Sequence, residues 1–210
     1  MKNKKEIVLT TAICLLPMAA GAILYSRLPD TIATHFDVNG QPDGWSGKAF
    51  AVFGLPAIIA AINLFMHFAL RTDPKRQNMN PALRNIAIWT VPVVSVLTNA
   101  MVLSNALGYT SRIELILPLL VGVLFIAIGN YLPKTKQSFT MGIRLPWTLA
   151  SEENWNRTHR LAGFLWVAGG IAMIALTLLH LWVFWLMLVI ITALVLVPTF
   201  YSYSLYKKGI

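Results

Sequence analysis

Apolar residues run nearly unbroken through six stretches: Ile7–Ser26, Ala49–Leu70, Ile86–Leu107, Ile113–Leu132, Leu161–His180 and Leu181–Leu205. At 1.5 Å rise per residue, ~20 such residues cross a hydrocarbon core of ~30 Å, so each stretch predicts a transmembrane helix. Glu114, at the start of the fourth, is the only charged residue in any of the six. The last two form one 45-residue run, which as a single helix would be roughly 68 Å long, about twice the core. It must fold back, and His180 and Trp182, both suited to a membrane–water boundary, mark the turn. Pro17, Pro56, Pro92, Pro118 and Pro198 predict kinks.

The fold expected is all-α: a polytopic membrane bundle of six helices. Its first half, 1–112, carries a loop at 27–48; its second, 113–210, carries a loop at 133–160. The N-terminal lysines followed by an apolar run are also the layout of a secretory signal, but the length of the run and the five spans behind it favour an uncleaved first span.

Composition agrees. Apolar residues are 57% of the chain and charged residues 12%, where a soluble domain carries roughly 45–50% and ~25%. The net charge of +9 could suggest nucleic acid, but its distribution gives another reason. With the N-terminus inside, 14 of the 17 Lys and Arg residues fall on the cytoplasmic side, leaving only Arg27, Lys48 and Arg112 outside. That split predicts both termini in the cytoplasm and a contact with anionic membrane lipid. No direct nucleic-acid partner is needed. The single cysteine, Cys14, lies in the first apolar run and reads as a small buried hydrophobe.

Chemistry must then sit in the two loops or inside the bundle. In the 27–48 loop, Thr31–Phe36 reads as a short extended piece between turns at Asn39-Gly40 and Asp43-Gly44. His35 and Asp37 would share a face there; turn formation explains the acids of this loop, Asp43 included, better than a metal does. Asn63, Asn99, Asn105 and Asn130 lie in the spans, where amides usually bond across helices. His67 and His159 are too few for a convincing metal site. The 133–160 loop holds the densest pattern. Pro146 forces Leu145 extended, Trp147 anchors at the interface, Ser151 caps a helix, and Glu152 and Glu153 suit its positive end. Glu152, Asn156, His159 and Gly163 would form one polar stripe, with Glu153 and Arg157 paired at i, i+4. Glu152 and His159 stand two turns apart, about 10.5 Å along the axis, too far for an acid–base pair. The sequence therefore predicts no enzyme, no cofactor and no metal.

Three segments resemble the signature of the SdpI family: Gly129-Asn130-Tyr-Leu-Pro133-Lys134, Gly142-Ile-Arg144-Leu-Pro146-Trp147-Thr148-Leu, and Ser151-Glu152-Glu153-Asn-Trp155-Asn-Arg-Thr158-His159-Arg160-Leu-Ala-Gly163. Leu28-Pro29-Asp30, His35-Phe36 and Gly40-Gln-Pro42-Asp43-Gly44-Trp45 resemble a small domain of unknown function often found before it. The family pattern commonly has Thr where this chain has Leu145. The resemblance implies a multi-pass protein of the bacterial cytoplasmic membrane that gives immunity to a secreted cannibalism peptide toxin, with a peptide toxin and a cytoplasmic repressor as partners. It marks Asn130, Arg144, Pro146, Trp147, Thr148, Glu152, Glu153, Trp155, His159 and Arg160 as the functional motif. The alternatives are a small-solute transporter or ligand-binding bundle and, behind it, an intramembrane enzyme.

Overall fold

The structure, a computed structural model, describes residues 2–109, 112–181 and 183–210. Among these residues, six helices are long and apolar enough to cross a membrane: α1 (Lys2–Leu24), α2 (Leu55–Thr72), α3 (Pro81–Ala106), α4 (Ile113–Tyr131), α6 (Glu152–Leu178) and α7 (Val183–Lys207). A short α5 (Pro146–Ala150) precedes α6. The helical prediction holds, with one addition. The 27–48 loop contains an antiparallel hairpin of β1 (Thr31–Phe36) and β2 (Pro42–Gly47).

The chain divides into two compact units, Met1–Ala69 with Ala87–Glu114, and Leu70–Ile86 with Leu115–Ile210. In the first, Ile32 of β1 packs with Leu28, Ala51, Val52, Val102 and Leu103, which seats the hairpin on apolar helix ends. Between β2 and α2, Phe50–Gly54 winds as a π-helix, with the Leu55 N–H bonding back to the Phe50 carbonyl. Pro56 gives the reason: it has no N–H for the Val52 carbonyl, and the wider winding absorbs the defect. Asn63 bonds across helices as expected, its Nδ2 donating to the Thr10 and Thr11 hydroxyls at 3.1 and 3.0 Å. Asn99 instead donates to the Ser95 carbonyl of its own helix. Cys14 is buried.

In the second unit, α4 and α6 meet at glycines. A Cβ on Gly163 would lie 2.8 Å from the Gly129 carbonyl oxygen, and one on Gly122 3.0 Å from the Gly170 carbonyl oxygen. Small residues let helices in lipid approach this closely. The turn after α6 falls at Leu179–Leu181, as length required; Trp182 lies outside the described residues. His180 closes the helix in a left-handed conformation (φ 54°), with Leu181 N–H reaching the Leu176 carbonyl and His180 N–H the Thr177 carbonyl. Glycine fills the same position after α3 and α7, at Gly108 and Gly209.

Candidate functional site

The hairpin corrects one turn of the sequence reading. Its reversal is at Asp37–Gln41, where Gly40 takes φ 77°. Asp43-Gly44 lies within β2, opposite His35. Glycine suits that position because a Cβ on Gly44 would stand 2.9 Å from the His35 Cβ. The register shifts on either side of His35, a local irregularity that bends a strand and re-aims its side chains. His35 pairs with Asp43, not with Asp37. Asp37 organises the turn: its Oδ1 accepts the Gln41 and Asn39 N–H groups at 2.7 and 2.8 Å. The Gln41 bond, with smaller help from Asn39, holds the Asp37 carboxyl below its ordinary range. Among the described residues no group of three or more His, Cys, Asp or Glu is placed to hold a metal.

The 133–160 loop is built differently, around buried side chains. Gly142, at φ 99°, lies so close to Trp155 and His159 that any side chain there would overlap their rings. The next residue, Ile143, donates its N–H to His159 Nε2 at 2.9 Å. Nε2 is thus the acceptor, so Nδ1 carries the proton and donates to the Trp155 carbonyl at 2.8 Å. His159 is neutral with both nitrogens spent. Its ring stacks on Trp155 at 3.9 Å, and Trp155 Nε1 donates to the Thr135 carbonyl. Neither ring is exposed. Thr148, also buried, accepts the Leu145 N–H at 2.8 Å and directs its own proton to the Ile143 or Leu145 carbonyl, closing the bend before α5. Leu145 is extended and Ser151 caps α6 through the Asn154 N–H, as read from the sequence.

Three further residues hold this loop and were not read from the sequence. Asp73, in the loop after α2, is 4% exposed. Its Oδ2 accepts from the Ser138 and Thr140 hydroxyls at 2.7 and 2.6 Å and from the Phe139 and Thr140 N–H groups at 3.0 and 2.9 Å. Oδ1 accepts the Lys75 N–H. Burial opposes ionisation, but these donors outweigh it and hold the Asp73 carboxyl below its ordinary range. Gln137 donates to the Thr148 carbonyl, and its own carbonyl accepts from Asn78. Asn154 donates to the Ser202 carbonyl and accepts from the Ser202 and Thr158 hydroxyls, tying α6 to α7. Asp73-Pro74 reads locally as a turn signal; nothing local announces a partner 65 residues away.

The marked motif therefore separates into a frame and a surface. Thr148, Trp155 and His159 are internal. Trp147 is half-buried against Tyr203 and Tyr206. Asn130, Arg144, Pro146, Glu152, Glu153 and Arg160 are exposed. Arg144 also reaches the Phe139 carbonyl at 2.7 Å, and Glu153 pairs with Arg157 as the i, i+4 spacing predicts. The expected polar stripe is split. Glu152 and Asn156, in the first turns, are exposed, while His159 and Gly163, further along the same side, are buried together with Asn154, Trp155, Thr158 and Ala162. Polar side chains face inward here because each finds a partner.

Among the described residues, six helices long and apolar enough to span a membrane define a multi-pass membrane protein. Residues 134–202 match the SdpI/YfhL protein family, and residues 12–60 match a domain of unknown function, DUF1648. The chain thus carries an SdpI-family segment behind the N-terminal domain that its motifs resembled. It is similar to the protein named "Immunity protein SdpI" of Bacillus subtilis (strain 168), 28% identical over 206 residues, covering 98% of this chain and 97% of that one. No solved structure matches.

Proposed function

We propose that this chain is an immunity protein that protects a bacterial cell from a secreted peptide toxin. The observation that carries the reading is its likeness to Immunity protein SdpI over nearly the full length of both chains. In this reading both termini are cytoplasmic, as the 14-to-3 distribution of basic residues favours. The surface of the 133–160 loop, with Arg144, Glu152 and Arg160, meets a cytoplasmic repressor and holds it at the membrane when toxin is present. Thr148, Trp155 and His159 form the frame that presents those side chains.

The test is survival of a toxin-sensitive host expressing the chain, with membrane abundance measured in the same cells. The chain protects, and Arg144→Ala abolishes signalling to the repressor while abundance stays at the wild-type level. Absence of protection at normal abundance overturns the immunity reading; a proportional fall of signalling and abundance overturns the contact role of Arg144. Orientation has its own readout in a Cys14→Ser background. A cysteine replacing exposed Asp43 labels in intact cells, and one replacing exposed Lys136 only after permeabilisation. Equal labelling refutes it.

A further inference from the structure

The hairpin turn and the end of α3 line an open cleft of about 310 Å³ that reaches the first turn of α4. Its lining includes Asn39, Gly40 and Gln41 from the turn, Asn105 and Tyr109 from the end of α3, and Glu114 from α4. That volume is at the small end of ligand sites, which run ~300–1,000 Å³. It suits one side chain or a short amine.

The lining is rich in acceptors that no protein group fills, with Glu114, Asn39 and Gln41 open to solvent and Asn105 partly so. Among the described residues, Glu114 has no ion-pair partner, and the side-chain carbonyl oxygens of Asn39, Gln41 and Asn105 accept no hydrogen bond. No Lys or Arg lines the cleft. A carboxylate in the first turn of a helix is explained by the helix dipole alone. The dipole does not explain why this one reaches the hairpin, where a Cβ on Gly40 would fall 2.6 Å from Glu114 Oε2, or why three amides converge beside it.

We propose that this cleft binds a primary ammonium group on an alkyl stem, with Glu114 as its counter-ion and the amide oxygens of Asn39, Gln41 and Asn105 taking the remaining N–H donors. An ammonium has three donors and no acceptor, the complement of this lining. In a peptide the group is either a lysine side chain or the free α-amino terminus. The site stands apart from the immunity reading, because binding is measured directly on the purified chain.

The full chain in lipid nanodiscs is titrated with butylamine, with N-acetyl-lysine methylamide, and with alanine methylamide, whose only ammonium is the α-amino group. N-butylacetamide serves as the uncharged control. Amine binding to the wild type is expected to weaken about tenfold or more in Glu114→Gln, as loss of a charge-assisted hydrogen bond implies. A smaller loss is expected in Asn105→Ala, which keeps the charge and covers the case in which the first variant does not fold. Tighter binding of the lysine probe assigns the natural group to a side chain, and tighter binding of the alanine probe assigns it to a terminus. Equal binding by N-butylacetamide, unchanged affinity in both variants, or no binding of any amine to the wild type overturns the proposal.

Discussion

The two long loops of this protein are held by opposite means. In the 27–48 hairpin the backbone carries the order: two strands pair, Asp37 gathers the N–H groups of a turn, and His35, Asp43 and Trp45 remain exposed. In the 133–160 loop the side chains carry it. Trp155, His159, Thr148 and Ser138 are buried, and each bonds to backbone or to a residue brought from elsewhere in the second unit. The first arrangement fixes a shape and leaves its side chains available. The second spends its most conspicuous side chains on the shape itself, so the residues that look most chemical are the least accessible.

The sharpest way to break this contrast is to remove an indole from each loop. Trp155→Ala takes away a fully enclosed side chain and should cost about 3–5 kcal/mol, while Trp45→Ala, at a position 62% exposed, should change stability by less than ~0.5 kcal/mol. Thermal unfolding of the purified proteins in one detergent compares them, and equal losses would remove the distinction. Next comes Asp73→Asn, with an expected loss of about 2 kcal/mol near neutral pH from weakened charge-assisted hydrogen bonds. Its pH dependence has a definite sign. The folded-state carboxyl is held below its ordinary range, so its contribution is complete above that range and is lost as pH falls from it through the lower folded-state value. The wild type should lose stability on acidification through this group, and the Asn variant should lack that increment. Asp37 is depressed in the same direction; acid should loosen the hairpin turn, visible as a lower amide protection factor at Gln41, the observed exchange being divided by the intrinsic rate at each pH. The smallest effect is Ser151→Ala, which removes the α6 cap and should cost about 1 kcal/mol, read by the same unfolding measurement.

The contrast also explains what the sequence could disclose. The spans are legible because lipid demands length and apolarity, and both are written continuously along the chain. The extended piece at Thr31–Phe36 and the Asn39-Gly40 reversal were legible because turn chemistry is local. Asp43-Gly44 was misread for the same reason, since an Asp-Gly pair signals a turn locally while its glycine is there to let His35 pass. In the 133–160 loop, the extended Leu145, the Ser151 cap and the Glu153–Arg157 pair are local and were read as found. Asp73, Gln137 and Asn154 were not, because their partners come from distant stretches of chain and no spacing rule points to them. The stripe through Glu152 and His159 keeps to one side of the helix, but burial changes along its length: Glu152 and Asn156 are exposed, while Ile143 and Pro133 cover His159 and Gly163 further on. An inward polar face is stable wherever hydrogen bonds replace water.

The glycine contacts between α4 and α6 set how movement can pass along the second unit. Where two backbones approach this closely, with Ile126, Ile174 and Trp166 packed around the glycines, little compliant side-chain volume is left to absorb a push by changing rotamers. The pair then behaves as a rigid strut. A shift imposed near Gly122 and Gly170 is delivered as a displacement at Gly129 and Gly163, about seven residues or ~10 Å further along. It arrives where Pro133 packs on Gly163 and where α6 continues back to Trp155 and His159. Movement at the far end of the strut would carry the floor of the 133–160 loop with it, leaving the internal spacing of that floor unchanged.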